Sequence, residues 1–162
     1  MSPVADTDYN EDYALTFSSY SLVGSGVDQG DLYDLFNAYI TNFNATLTKL
    51  DADSGVTDTT YNSLWALDVA DIAGYGLNKT GMYDGSICSL MNDIKTKFSG
   101  VTAKLDADAG VEDTDYASTL DFSVPTDILT IDFEDQGSIV DYMTTVTTQF
   151  NTLLTKLDAD AA

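Results

Sequence analysis

The chain has 162 residues and a mass of 17.4 kDa, with 27 acidic side chains against six lysines, no arginine and no histidine, for a net charge of −21. So negative a chain argues against nucleic-acid binding and against docking on anionic membranes, and without histidine it has no imidazole acid–base chemistry and no His-ligated metal site. One cysteine, Cys88, excludes an intramolecular disulfide framework and a cysteine zinc site; no run approaches the roughly 20 apolar residues of a membrane span, and the opening MSPVADTDYNEDY is too acidic for a signal peptide.

Self-comparison organises the rest. KLDADSGVTDTTY at 49–61 returns as KLDADAGVEDTDY at 104–116, with partial copies VADTDY at 4–9 and KLDADAA at 156–162. The phase is three units, about 4–54, 56–109 and 111–162, in a single domain covering 1–162. Each unit opens on V-x-D-T-x-Y and closes on K-L-D-A-D, and the unit spacing is 52 or 55 residues.

The first half of each unit predicts a strand. Apolar residues alternate at Tyr13, Leu15 and Phe17, at Trp65, Leu67 and Val69, and at Leu120, Phe122 and Val124. Pro125 limits the third strand, Ile128–Phe133 reads as another short extended piece, and Gly24–Gly26 and Gly74–Gly76 read as turns.

The second half predicts a helix of about 20 residues, some 30 Å long. Its seam is Leu32, Phe36, Tyr39, Phe43, Thr46 and Leu50 in the first unit and Ile87, Met91, Ile94, Phe98, Val101 and Leu105 in the second. In the third it is Ile139, Met143, Val146, Phe150, Leu153 and Leu157. The gaps alternate three and four, the a/d pattern of packed helices, and Thr46 alone is polar. Asp31, Ser86 and Ser138 read as N-caps, Lys49, Lys104 and Lys156 as last-turn cations, and Gly55 and Gly110 as terminators. The expected fold is therefore α+β: three tandem strand–helix repeats, arranged as a pseudo-threefold parallel three-helix bundle with short peripheral strands. Phe43, Phe98 and Phe150 would form one layer. An irregular α+β domain and a bundle that also trimerises are the alternatives.

Candidate chemistry is sparse. Asp51, Asp53, Asp106 and Asp108 lie in D-A-D-x-G runs that invite a calcium reading, but Gly stands fifth and no Glu follows where an EF-hand loop needs one. A helix stop followed by a solvated acidic turn describes these runs better. Carboxylate pairs suited to acid–base catalysis arise by chance in so acidic a chain, so no enzyme, catalytic residue or cofactor is expected. Cys88 sits one step off the seam as a packing residue, and Tyr13, Phe17 and Trp65 are core or interface residues. The acidity keeps a densely arrayed protein soluble, or is tolerated in a salty medium where screening is short-ranged.

The K-L-D-A-D-x-G-V-x-D-T-x-Y segment resembles the LLAKLDADAGVTDTDY modules of tailed-phage structural proteins, especially those of marine cyanobacterial phages. The matching stretches, Lys49–Tyr61 and Lys104–Tyr116 with the partial copies Val4–Tyr9 and Leu153–Ala162, cover about a quarter of the chain. This chain departs in carrying the module in tandem. The resemblance implies a non-enzymatic virion protein whose partners are capsid or other virion proteins, present as a monomeric pseudo-trimer or a homo-oligomer. A capsid decoration or cement protein fits a threefold body. A neck, head–tail or tail-fibre accessory is the runner-up, and a calcium-dependent adhesion module is a third class.

Overall fold

The computed structural model describes residues 4–15, 29–67, 84–124 and 136–160. Six helices occupy them: α1 (Tyr9–Tyr13), α2 (Gln29–Ala52), α3 (Tyr61–Trp65), α4 (Asp84–Ala107), α5 (Tyr116–Thr119) and α6 (Gln136–Asp160). Three long helices of 24, 24 and 25 residues alternate with three helices of one turn.

The α+β expectation is corrected: among the described residues the chain is helical, with no strand. Where strands were expected, Tyr13 and Trp65 instead end one-turn helices, and Leu120 directly follows the third. The alternation nonetheless reports burial, because Leu15, Leu67, Leu120 and Phe122 are all in the core and Tyr13, Trp65 and Val124 pack on it. What is missing is a ladder. Leu15 donates its N–H to Asn151 Oδ1 at 2.8 Å and accepts from Asn151 Nδ2 at 2.9 Å. Leu67 makes the same pair with Asn44, donating to Oδ1 at 2.8 Å and accepting from Nδ2. One asparagine amide thus offers the donor and acceptor that a neighbouring strand would supply. Phe17, Val69, Ile128–Phe133 and the two glycine turns lie outside the described residues.

The long helices run in the same direction. Tyr142 Oη in α6 donates to the Met91 carbonyl of α4 at 2.7 Å, pairing the early turns of both helices. Further along, Tyr39 of α2 meets Phe150 of α6 edge-on at 5.4 Å, and Phe43 lies 6.3 Å from Phe150. Phe98, the third member of the expected aromatic layer, packs its ring on Phe122 at 5.2 Å. Every seam residue from Phe36 to Leu50, Met91 to Leu105 and Ile139 to Leu157 is buried. Thr46 is accommodated there because its hydroxyl donates to the Asn42 carbonyl one turn back, at 2.8 Å. Leu32 and Ile87 fall at the helix starts, where side chains are outside the described set.

Two further rows are buried beside the seam: Leu35, Leu90 and Tyr142, and Leu47, Thr102 and Leu154. The apolar arc is therefore wider than an a/d stripe. The helix starts also differ from expectation. Asp31, Ser86 and Ser138 are the third residues of α2, α4 and α6 rather than N-caps, since each helix begins two residues earlier.

Gly100 in α4 admits the indole of Trp65. A Cβ at that position would lie 2.4 Å from the ring, so only glycine allows this approach. Lys97 Nζ lies 5.9 Å from the Trp65 ring centroid and donates to the Leu64 carbonyl at 3.2 Å.

The fully buried Tyr39 hydroxyl has no hydrogen-bond partner among the described residues. A buried polar atom without a partner is costly. Tyr39→Phe should therefore stabilise the fold by about 1 kcal/mol, read as an increased urea midpoint with an unchanged slope; a loss of stability would show that the hydroxyl is satisfied.

Candidate functional site

The repeated motif builds a collar at the C-terminal end of the bundle. Three clasps make it, and each holds one V-x-D-T-x-Y segment between the ends of two long helices.

The second Asp of K-L-D-A-D binds the segment of its own unit. Asp53 accepts N–H groups from Ala5 at 2.8 Å and Asp6 at 3.1 Å, and the Tyr9 hydroxyl at 2.9 Å. Asp108 repeats this with Thr57 and Asp58, both at 3.0 Å, and the Tyr61 hydroxyl at 3.0 Å. Asp53 and Asp108 also close their own turns by accepting from Gly55 and Gly110, each at 2.8 Å. In the third unit Asp160, still inside α6, accepts the Tyr116 hydroxyl at 3.2 Å.

The first Asp of the motif binds the segment of the next unit. Asp51 accepts from the N–H groups of Tyr61 at 2.7 Å and Asn62 at 3.0 Å. Asp106 does so from Tyr116 at 2.7 Å and Ala117 at 3.0 Å. Asp158 completes the cycle across the chain, accepting from Tyr9 at 2.7 Å and Asn10 at 2.9 Å. These are the first N–H groups of the one-turn helices, whose own N-cap residues Asp8, Thr60 and Asp115 make no side-chain cap. A carboxylate from another helix takes that role and meets the positive end of the short helix.

The motif lysine lies over the same tyrosine. Lys49, Lys104 and Lys156 sit 5.0, 5.2 and 4.7 Å from the ring centroids of Tyr9, Tyr61 and Tyr116. Each also pairs with the Asp of V-x-D: Lys49 with Asp6 at 3.2 Å, Lys104 with Asp58, and Lys156 with Asp113. Lys49 is the most heavily engaged, pairing further with Asp8 and with Asp12 at 3.0 Å. The buried valines Val4, Val56 and Val111 and the fully buried tyrosines fill the space beneath. Gly110 meets the next turn so closely that a Cβ there would lie 2.1 Å from the Gly55 carbonyl oxygen.

The surroundings set the ionisation of these groups. Burial opposes the charge on Asp53 and Asp108, but the converging N–H and hydroxyl donors outweigh it and hold both carboxyls below their ordinary value. Burial, then the adjacent carboxylate, pushes the Tyr9, Tyr61 and Tyr116 phenols well up, so all three stay protonated donors. Burial works against the charge of Lys49 and Lys156, yet their Asp partners raise both above the usual lysine value.

The calcium candidates are thereby placed. Asp51, Asp53, Asp106 and Asp108 do gather at the collar, but each turns its oxygens to backbone N–H donors. Calcium needs a shell of six to eight oxygens, and no group of three or more acidic, cysteine or histidine side chains among the described residues is arranged to hold a metal. Tyr13 and Trp65, the described members of the interface set, are partly buried against the core.

Sequence reasoning missed the two asparagines, Asn44 and Asn151, and the roles of Asp6, Asp58 and Asp113. Asn44 and Asn151 stand at equivalent positions of α2 and α6, a coincidence visible once the units are aligned. The equivalent residue of α4 is Ser99, too short for a two-point bond to the backbone. There Phe122 packs between Phe98 and Tyr142, with Lys95 over its ring at 5.0 Å and paired with Asp121.

No protein-family model matches this chain, and neither a curated protein nor a solved structure matches it.

The clasp predicts a pH-dependent mutant effect. Because the folded-state value of Asp108 is depressed, its stabilisation is full above the unfolded carboxyl value near 4 and is lost as pH falls through the folded value. Asp108→Asn should cost about 3 kcal/mol at pH 7, and in urea melts the gap to wild type should hold from pH 7 down to about pH 4 and shrink as the pH falls further. Tyr61→Phe removes one hydroxyl bond to that carboxylate and should cost about 1.5 kcal/mol. A mutant gap independent of pH would show that the carboxylate charge is not what the donors bind.

Proposed function

We propose that this chain is a non-enzymatic structural component of a phage virion and, within that class, a capsid decoration protein. The observation that carries the reading is the cyclic closure of the three clasps. Each segment joins its own helix end to that of the neighbouring unit, and Asp158 with Tyr9 returns the cycle to its start. One chain thereby makes a self-contained pseudo-threefold body, a shape suited to a threefold or quasi-threefold position on a shell.

Three further points support it. The motif that resembles virion modules spends its Asp, Tyr and Lys groups on internal bonds, which is the work of a scaffold rather than of a reaction centre. Among the described residues Glu11, Asp12, Glu112, Asp115, Asp121 and Asp141 are exposed, and negative charge keeps crowded copies apart while salt screens the self-repulsion. No helix among the described residues is long and apolar enough to cross a membrane. In this role the protein bridges neighbouring shell subunits, and the area buried in each bridge opposes expansion and rupture of the head.

The test is quantitative peptide mass spectrometry on purified, nuclease-treated virions of the phage that encodes the chain. Hundreds of copies per particle are expected. Tens or fewer would replace the head location with a neck, tail or fibre location, and complete absence would remove the virion reading.

A further inference from the structure

The three clasps are chemically alike but not alike in how they are tethered. Asp51 and Tyr61 are 10 residues apart in the chain, and so are Asp106 and Tyr116. The equivalent pair in the first clasp, Asp158 and Tyr9, is separated by 149 residues. The second and third segments therefore have covalent connections on both sides of the joint they make. The first segment, residues 4–15, is joined to α2 by residues 16–28, and no short loop joins Tyr9 to the α6 end that holds it.

That difference has a thermodynamic consequence. A contact closed by a short loop reforms at a high effective concentration, whereas one whose partners lie far apart in the chain competes more readily with identical segments on other molecules. The segment's recognition groups are self-contained. It offers the N–H groups of Ala5 and Asp6 and the Tyr9 hydroxyl to Asp53, and the N–H groups of Tyr9 and Asn10 to Asp158. Its far end pairs with Asn151 through both backbone groups of Leu15. None of these bonds requires that segment and receptor belong to one molecule. A connection of thirteen residues, 16–28, spans about 40 Å when extended, enough to reach an adjacent copy.

We infer that residues 4–15 are an exchangeable docking segment, and that its partner in exchange is a second copy of this chain, whose α2 and α6 ends receive it as they receive their own. The associated form is a reciprocal swap in which every clasp stays filled, so it conserves the collar's bonds while linking two bodies. The inference does not rest on the virion reading, since it follows from the collar alone.

The experiment uses two full-length variants. Asp53→Ala with Asp158→Ala removes the receptor but leaves the segment intact, and Tyr9→Ala disables the segment but leaves the receptor intact. Both retain the second and third clasps. Each alone is expected to elute at the monomer mass of 17.4 kDa. An equimolar mixture at high micromolar concentration is expected to yield a species of twice that mass by light scattering, one good segment on one good receptor. A mixture that stays monomeric while both variants keep wild-type helical circular dichroism overturns the inference. Should either variant lose helicity, the wild type is incubated with a fluorescent peptide of residues 1–15. Retention of that peptide through gel filtration, at least tenfold above its Tyr9→Ala form, supports exchange. No retention, or equal retention of both peptides, overturns it.

Discussion

The structure depends on one kind of bond, a carboxylate at a helix end accepting two backbone N–H groups of a separate segment. Asp51, Asp106 and Asp158 make it to the one-turn helices, and Asp53 and Asp108 make it to the segments of their own units. Charge-assisted bonds of this kind are stronger than neutral ones, and the donors would otherwise be orphaned at the start of a short helix. An isolated single turn does not persist in water because nucleation is unfavourable. The aspartates supply what nucleation lacks, and the buried tyrosine and valine of each segment supply the apolar area. Acidity, costly elsewhere in so charged a chain, is here the means of assembly.

The two aspartates of K-L-D-A-D divide the labour. The second binds within its unit and the first binds across to the next, so a five-residue run both finishes a helix and fixes its neighbour. The lysine completes the arrangement by covering the tyrosine ring and drawing in the Asp of V-x-D. Because each tyrosine donates to a carboxylate while a cation lies over its ring, it cannot be replaced by phenylalanine without leaving the carboxylate one donor short.

Much of this was legible in the sequence. The three-unit phase and the buried seams of Phe43, Phe98 and Phe150 follow from repetition and the three–four spacing. The strand expectation failed for an identifiable reason. Alternation at Tyr13 and Leu15, or Trp65 and Leu67, records which side chains face the core, and a turn of helix followed by an irregular step produces the same record as a strand. What separates the two is where the backbone groups bond, and here they bond to Asn44 and Asn151, far away in the chain. The aspartates of the collar were visible as a pattern, but their partners were not. A D-A-D run that binds N–H groups and one that binds a cation have the same letters, and only the atoms facing the carboxylates tell them apart. Gly100 was likewise silent until the indole of Trp65 was seen against it.

The third sector of the molecule differs from the other two. Ser99 stands where Asn44 and Asn151 stand, and an aromatic stack of Phe98, Phe122 and Tyr142 fills that side in place of the amide bridge. Among the described residues the body therefore has three nearly equal edges, one of them marked. Set on a true threefold axis, such a body has three orientations that differ only at the marked edge. An image averaged over the axis would superimpose them, dilute the Phe122 stack to a third of its density, and show the asparagine bridge at two thirds in every sector. A neighbouring subunit that senses the marked edge would lift that degeneracy, turning a rotationally ambiguous plug into a pointer with one direction.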